Sequence, residues 1–136
     1  MEFIIFFLVI TMAILIINMH FIIKKGWGAV AKVFPGDENP TGEIIKFAYM
    51  WVGKGVYKNS VKVTISPEGL YLNLYFLAAI FQKPVLIPWN QIYLKKNANF
   101  LGIPRYYFNI GDPAITELII YDKLYKSLKP HLVNII

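Results

Sequence analysis

The residues able to do chemistry are few and scattered. Of the eight acidic residues, Glu2 opens the chain, Asp37, Glu38 and Glu43 share one polar stretch, and Glu68, Asp112, Glu117 and Asp122 are dispersed. Paired carboxylates converging on a cleft, the usual requirement for general acid–base work, are not suggested by that spacing. His20 and His131 have no ligand-type residue at i+3 or i+4, and there is no cysteine, so neither a thiolate metal site nor a thiol nucleophile can be written. Ser60, Ser66 and Ser127 lack a nucleophile-elbow setting. Gly36 and Gly42 are one residue too far apart for a phosphate loop, and Glu43 stands where its lysine belongs. The expectation is a protein that is not an enzyme and needs no cofactor, metal or small-molecule substrate.

What remains is charge and aromatic surface. The formal charge is +6, carried almost wholly by lysine, with Arg105 the only arginine. Lys54, Lys58 and Lys62 fall in and after the glycine-flanked stretch 53–55, where a loop could gather an anion or a partner. Arg105-Tyr106-Tyr107-Phe108, with Lys95 and Lys96, mixes cations with rings in the way single-stranded nucleic acid favours. Strand alternation, however, splits Arg105 and Tyr107 from Tyr106 and Phe108, so a continuous stacking platform is not expected and nucleic acid is not the expected partner.

The elements that must position these residues begin with 3–23, a run without formal charge in which only Thr11, Asn18 and His20 are polar. As a helix it is about as long as the ~30 Å hydrocarbon core is thick, so it reads as a transmembrane anchor occupying residues 1–25. Lys24, Lys25 and Lys32 follow it, which predicts a single-pass protein of an inner membrane with its N-terminus out and its C-terminal domain cytoplasmic. Trp27, Val30, Ala31 and Phe34 lie on one helical face; with those lysines, Trp27 is expected at the membrane interface, and packing of this face against the domain is the competing reading. Residues 26–43 form a juxtamembrane helix and a linker rich in proline, glycine and acid.

From residue 44 to 136 the pattern is that of one small β-domain. Strands are expected at 44–51, 60–66, 70–76, 84–88, 91–96, 105–110 and 114–121, separated by turn formers that include Asn97-Ala98-Asn99 and Pro67-Glu68-Gly69, with a positive φ at Gly69. Asp122 is the expected cap of a final helix whose Leu124, Leu128 and Leu132 cover an open edge. Trp89, after Pro88 at the end of a strand, is expected to plug a corner of the core together with Leu124 and Leu128.

Val63-Thr-Ile-Ser-Pro-Glu-Gly-Leu-Tyr-Leu72 and Val85-Leu-Ile-Pro-Trp-Asn-Gln-Ile92, in that order, resemble the small bacterial pleckstrin-homology-like domains that often follow membrane helices. The resemblance implies an α+β, mainly β fold. One N-terminal transmembrane helix is followed by a PH-like seven-stranded antiparallel barrel or sandwich, capped by a C-terminal helix. It also places the loop carrying Lys54 and Lys58 where phosphoinositide-binding members hold basic residues, without their basic pair on the second strand. Two functions follow as expectations: a protein-interaction module acting as an accessory subunit beside other membrane-protein subunits, and a sensor of the anionic lipid bilayer using Lys54, Lys58 and Lys62.

Overall fold

A computed structural model of the chain describes residues 1–75 and 82–134, and of residues 18–25 the backbone only. Two helices, α1 (Glu2–Lys25) and α2 (Trp27–Val33), precede strands β1 (Glu43–Val52), β2 (Gly55–Ile65), β3 (Leu70–Leu74), β4 (Val85–Ile87), β5 (Ile92–Phe100), β6 (Ile103–Ile110) and β7 (Thr116–Tyr121). A short helix, α3 (Asp122–Leu128), follows β7.

The strands form one seven-stranded antiparallel sheet in the order β4-β3-β2-β1-β7-β6-β5. β1 is the hinge of this sheet. Along its whole length it pairs with β2, but only Met50, Trp51 and Val52 also pair with β7. Register shifts on either side of Ala48, with Phe47 and Asn59 both at positive φ, break the β1–β2 ladder near its middle. Bulges of this kind raise local twist, and here they curl the sheet into a half-barrel. Inward-facing Met50, Val61, Val63, Phe108, Ile110, Leu118 and Ile120 fill the concave side and are essentially inaccessible.

The expected fold class is corrected in two respects. Strand number, antiparallel pairing and the C-terminal helix agree with it, but the sheet is a half-barrel with helices at both ends and not a closed barrel or a two-sheet sandwich, because its terminal strands β4 and β5 do not pair with each other. Each is instead covered by chain from outside the sheet. The Leu86 N–H donates to the Phe34 carbonyl at 3.0 Å and the Gly36 N–H to the Pro84 carbonyl at 2.9 Å, so the segment after α2 closes the edge of β4. The Leu94 N–H donates to the Asn134 carbonyl at 3.1 Å, and Asn134 Nδ2 donates to the Asn90 carbonyl at 2.9 Å, closing the first part of β5. Covering an edge in this way satisfies backbone groups that would otherwise recruit another strand.

The transmembrane helix and the inner-membrane, single-pass location built on it are also corrected: among the described residues, no helix is long and apolar enough to cross a membrane. The described side chains of α1 end at Ile17, so the apolar run they show, residues 3–17, is shorter than the roughly 20 apolar residues a span needs. Those of Phe3 to Ile10 and of Met12 to Ile17 are exposed. The lysines that set the expected orientation, Lys24 and Lys25, and the polar Asn18 and His20, have side chains outside the described residues, as does Phe76 at the end of an expected strand.

Trp27 overturns the interfacial reading of α2. It is 1 % exposed, donates its Nε1–H to the Lys83 carbonyl at 2.7 Å and packs its ring on Tyr57 at 5.2 Å. Val30 is buried beside it, so the core of the domain starts before residue 44, in the helix expected to be juxtamembrane, as the competing reading of that face had it.

At the other end, Tyr121 and not Asp122 occupies the cap position of α3; Asp122 sits in the first turn, where a carboxylate complements the helix dipole. Tyr106 Oη donates to Asp122 Oδ1 at 3.0 Å, and Lys126 lies 3.1 Å from Oδ2. The hydrogen bond from Lys126, then that from Tyr106, holds the Asp122 carboxyl below its ordinary 3.8. A depressed carboxylate pKa contributes stability that is present above the unfolded value and lost as pH falls through the folded one. Titrating the Asp122 carboxyl by NMR is expected to show its midpoint rising in Lys126→Ala and, by less, in Tyr106→Phe. An unchanged midpoint in both variants would show that these contacts do not hold the carboxylate.

Candidate interaction face

The lysines singled out from the sequence are not gathered into a loop. Lys54 is exposed in the two-residue turn between β1 and β2, Lys58 is exposed in β2, and Lys62 is half-buried opposite Asn73. At about 3.3 Å per residue they are strung over roughly 26 Å of strand, several Debye lengths at physiological salt, so they cannot act on one headgroup together. Lys32 is exposed on α2, away from any acid that pairs with it among the described residues. Trp89 is buried, with its Nε1–H donated to the Ser66 carbonyl at 2.8 Å and His131 stacked on it at 5.1 Å, and Leu124 and Leu128 are buried under α3. These three are structural.

The convex side of the sheet brings together residues from four strands. Register places Trp51 beside Ile119, Ile119 beside Tyr107, and Tyr107 beside Lys96, forming one row across β1, β7, β6 and β5. The next row sets Tyr121 beside Arg105 and Arg105 beside Ala98. Because side chains alternate between faces, these rows point away from the core, which takes Tyr106, Phe108, Leu118 and Ile120 from the same strands.

Rings tile the β1–β7 end of this face. Tyr49, Trp51 and Tyr121 contact one another with centroids 5.1, 5.5 and 5.6 Å apart. Arg105 covers the neighbouring ground, its guanidinium carbon 4.9 Å from the ring centroids of both Trp51 and Phe100 and 5.5 Å from that of Tyr107. Lys96 Nζ lies 4.7 Å from the Tyr107 centroid. Cation–π attraction at such distances is worth about 0.5–2 kcal/mol, depending on exposure. Occupied ring faces are not available to nucleic-acid bases, which need them open for stacking.

Charge on this face is unbalanced. Glu117 is engaged by Lys95 at 3.1 Å, whereas neither Arg105 nor Lys96 has a carboxylate partner among the described residues. Among the described residues Arg105 makes a single hydrogen bond, from Nη2 to Tyr107 Oη at 2.7 Å, and its buried Nε–H makes none. The sequence displayed Arg105 and Tyr107 as neighbours on one strand face. Trp51 and Phe100 could not be linked to them, because pairing with strands distant in the chain delivers those two rings.

Beyond Leu94 the edge of β5 is bare among the described residues. Residues 95–100 are exposed, and no backbone bond reaches their free side among the described residues. Phe100, Leu101 and Ile103 at the tip of the β5–β6 hairpin are exposed as well, and Asn97, Ala98, Asn99 and Pro104 line an open depression of about 270 Å³.

Among the described residues no three histidines, acids or cysteines cluster as a metal site would require. No family model, no curated protein and no solved structure matches this chain, so nothing in these comparisons names a PH-like domain.

Proposed function

We propose that this chain is a non-enzymatic protein-interaction module. It docks an extended, acidic segment of a protein partner along the bare half of β5, against the ring-and-cation face of β5, β6, β7 and β1. The observation that carries this reading is the asymmetry of the sheet edges: β4 and the start of β5 are covered by the chain's own backbone, while no backbone among the described residues covers residues 95–100. An uncovered edge offers main-chain hydrogen bonds to an added strand, and alternate side chains of that strand reach the adjoining face. Trp51, Tyr107 and Arg105 are of the types that dominate binding energy at interfaces. The +6 charge of the chain favours an acidic partner and speeds its approach.

The test is site-specific photo-crosslinking in the source cell, with the photoreactive side chain placed at Ala98 on β5 or, as the control, at Glu68 in the β2–β3 turn. The expected result is a discrete adduct from position 98 only, with the crosslinked peptide sequenced and found to be an acidic stretch of a different protein. An adduct with lipid, with a second copy of this chain, or with equal yield from position 68 overturns the reading.

A further inference from the structure

Arg105 is a half-buried cation with no acid among the described residues to neutralise it. Its five N–H donors form a planar fork, yet one hydrogen bond, to Tyr107 Oη, is all that the described residues supply. Its Nε–H is buried with no partner among the described residues. The acids at the two ends of β7 are already committed, Glu117 to Lys95 and Asp122 to Lys126 and Tyr106. The rings of Trp51, Phe100 and Tyr107 flank the guanidinium and lower the dielectric around it, which strengthens any charge-assisted hydrogen bond formed there.

Resting on the interaction reading above, we infer that Arg105 is a carboxylate-recognition subsite: a glutamate or aspartate side chain of the docked segment accepts hydrogen bonds from the edge of the guanidinium, while the three rings exclude water around the pair. Lys96 over Tyr107, in the adjoining row, adds a second positive charge facing the same acidic segment. Rings already occupied by cations leave the guanidinium edge as the group able to take a ligand. A planar two-oxygen acceptor matches a planar fork, and lysine in this position offers no such match.

Because Arg105 is the only arginine, its side-chain Nε–H gives one arginine signal in a ¹⁵N–¹H spectrum. The whole 136-residue chain, kept dispersed in a neutral detergent because the α1 side chains up to Ile17 are exposed, is titrated with a blocked oligoglutamate peptide, its oligoglutamine counterpart and inorganic phosphate. Saturable movement and slowed exchange of the Arg105 Nε–H with oligoglutamate, and neither with oligoglutamine, is expected. Arg105→Gln is expected to weaken oligoglutamate binding by about tenfold or more, and Arg105→Lys to recover only part of it. The backbone spectrum of each variant reports whether the sheet is intact.

Oligoglutamate binding that leaves the Arg105 signal still, or that survives Arg105→Gln, overturns the subsite and leaves the interaction reading standing. A response to phosphate equal to that to oligoglutamate overturns the carboxylate assignment. Conversely, a responsive Arg105 with no protein adduct from Ala98 overturns the interaction reading and not the subsite.

Discussion

Trp27→Ala lowers the free energy of unfolding by about 3–5 kcal/mol, the cost of emptying a large aromatic site in a core. The ring is buried among Val30, Tyr57 and the chain ahead of β4, so its removal leaves a cavity and strips the Lys83 carbonyl of its donor. Tyr57 loses its packing partner in the same step, although its hydroxyl still donates to Gln82 Oε1 at 3.0 Å. Trp27→Phe separates the two contributions: it keeps most of the apolar contact and loses the hydrogen bond, and costs about 1 kcal/mol for that bond plus the imperfect fit. Urea unfolding followed by far-ultraviolet circular dichroism measures both without relying on tryptophan emission. A cost below about 1 kcal/mol for the alanine variant would place Trp27 outside the core, where the interfacial reading had it.

Gly69→Ala is the second large effect, at about 3 kcal/mol, and it acts by collision. A Cβ at this position would strike the Ile87 carbonyl and lie 3.0 Å from the Pro88 Cα, both backbone atoms that cannot swing away. Leu70 pairs with Ile87 next to it, so relief requires β4 to part from β3. The turn itself adds resistance to any shift. Ser66 Oγ donates to the Gly69 carbonyl at 2.9 Å, and the Ser66 N–H donates to that same carbonyl at 3.1 Å. Trp89 is held to the Ser66 carbonyl, so the disturbance extends to that corner of the core. Hydrogen exchange should show early loss of protection at β4 amides in Gly69→Ala. Gly102→Ala is the control: its Cβ would meet nothing within 4 Å, and only its φ of +83° is unfavourable, at about 1–2 kcal/mol. Equal costs for the two variants would mean that the close approach of β4 does not limit position 69.

Position 69 also shows how local signals and tertiary structure divide the work. Pro67-Glu68-Gly69 announces a turn, and a turn is there, but Gly69 is not among the positive-φ glycines. Its missing side chain matters because a strand from later in the chain passes close by, which turn statistics do not contain. Asn97-Ala98-Asn99 is the converse case. Its composition favours a turn, yet these residues pair with Pro104, Arg105 and Tyr106, and the chain reverses at Leu101 and Gly102, both at positive φ. A ladder that extends to the hairpin tip outweighs the modest turn preference of two asparagines.

Periodicity by itself determined the number and type of strands, the final helix with its buried leucines, and the separation of Arg105 and Tyr107 from Tyr106 and Phe108, because a period of two or of about 3.6 residues is a property of consecutive positions. It also marked the uncharged run at the N-terminus, while among the described residues no helix is long and apolar enough to cross a membrane. Which strands are neighbours was decided by tertiary structure alone. Only the pairing of β1 with β7, and of β7 with β6, sets Trp51 near Arg105. Only the return of the chain after α2 onto β4, and of Asn134 onto β5, determines which length of edge stays open. Those contacts join residues far apart in the chain, and no pattern of adjacent residue types encodes which distant strand will lie alongside.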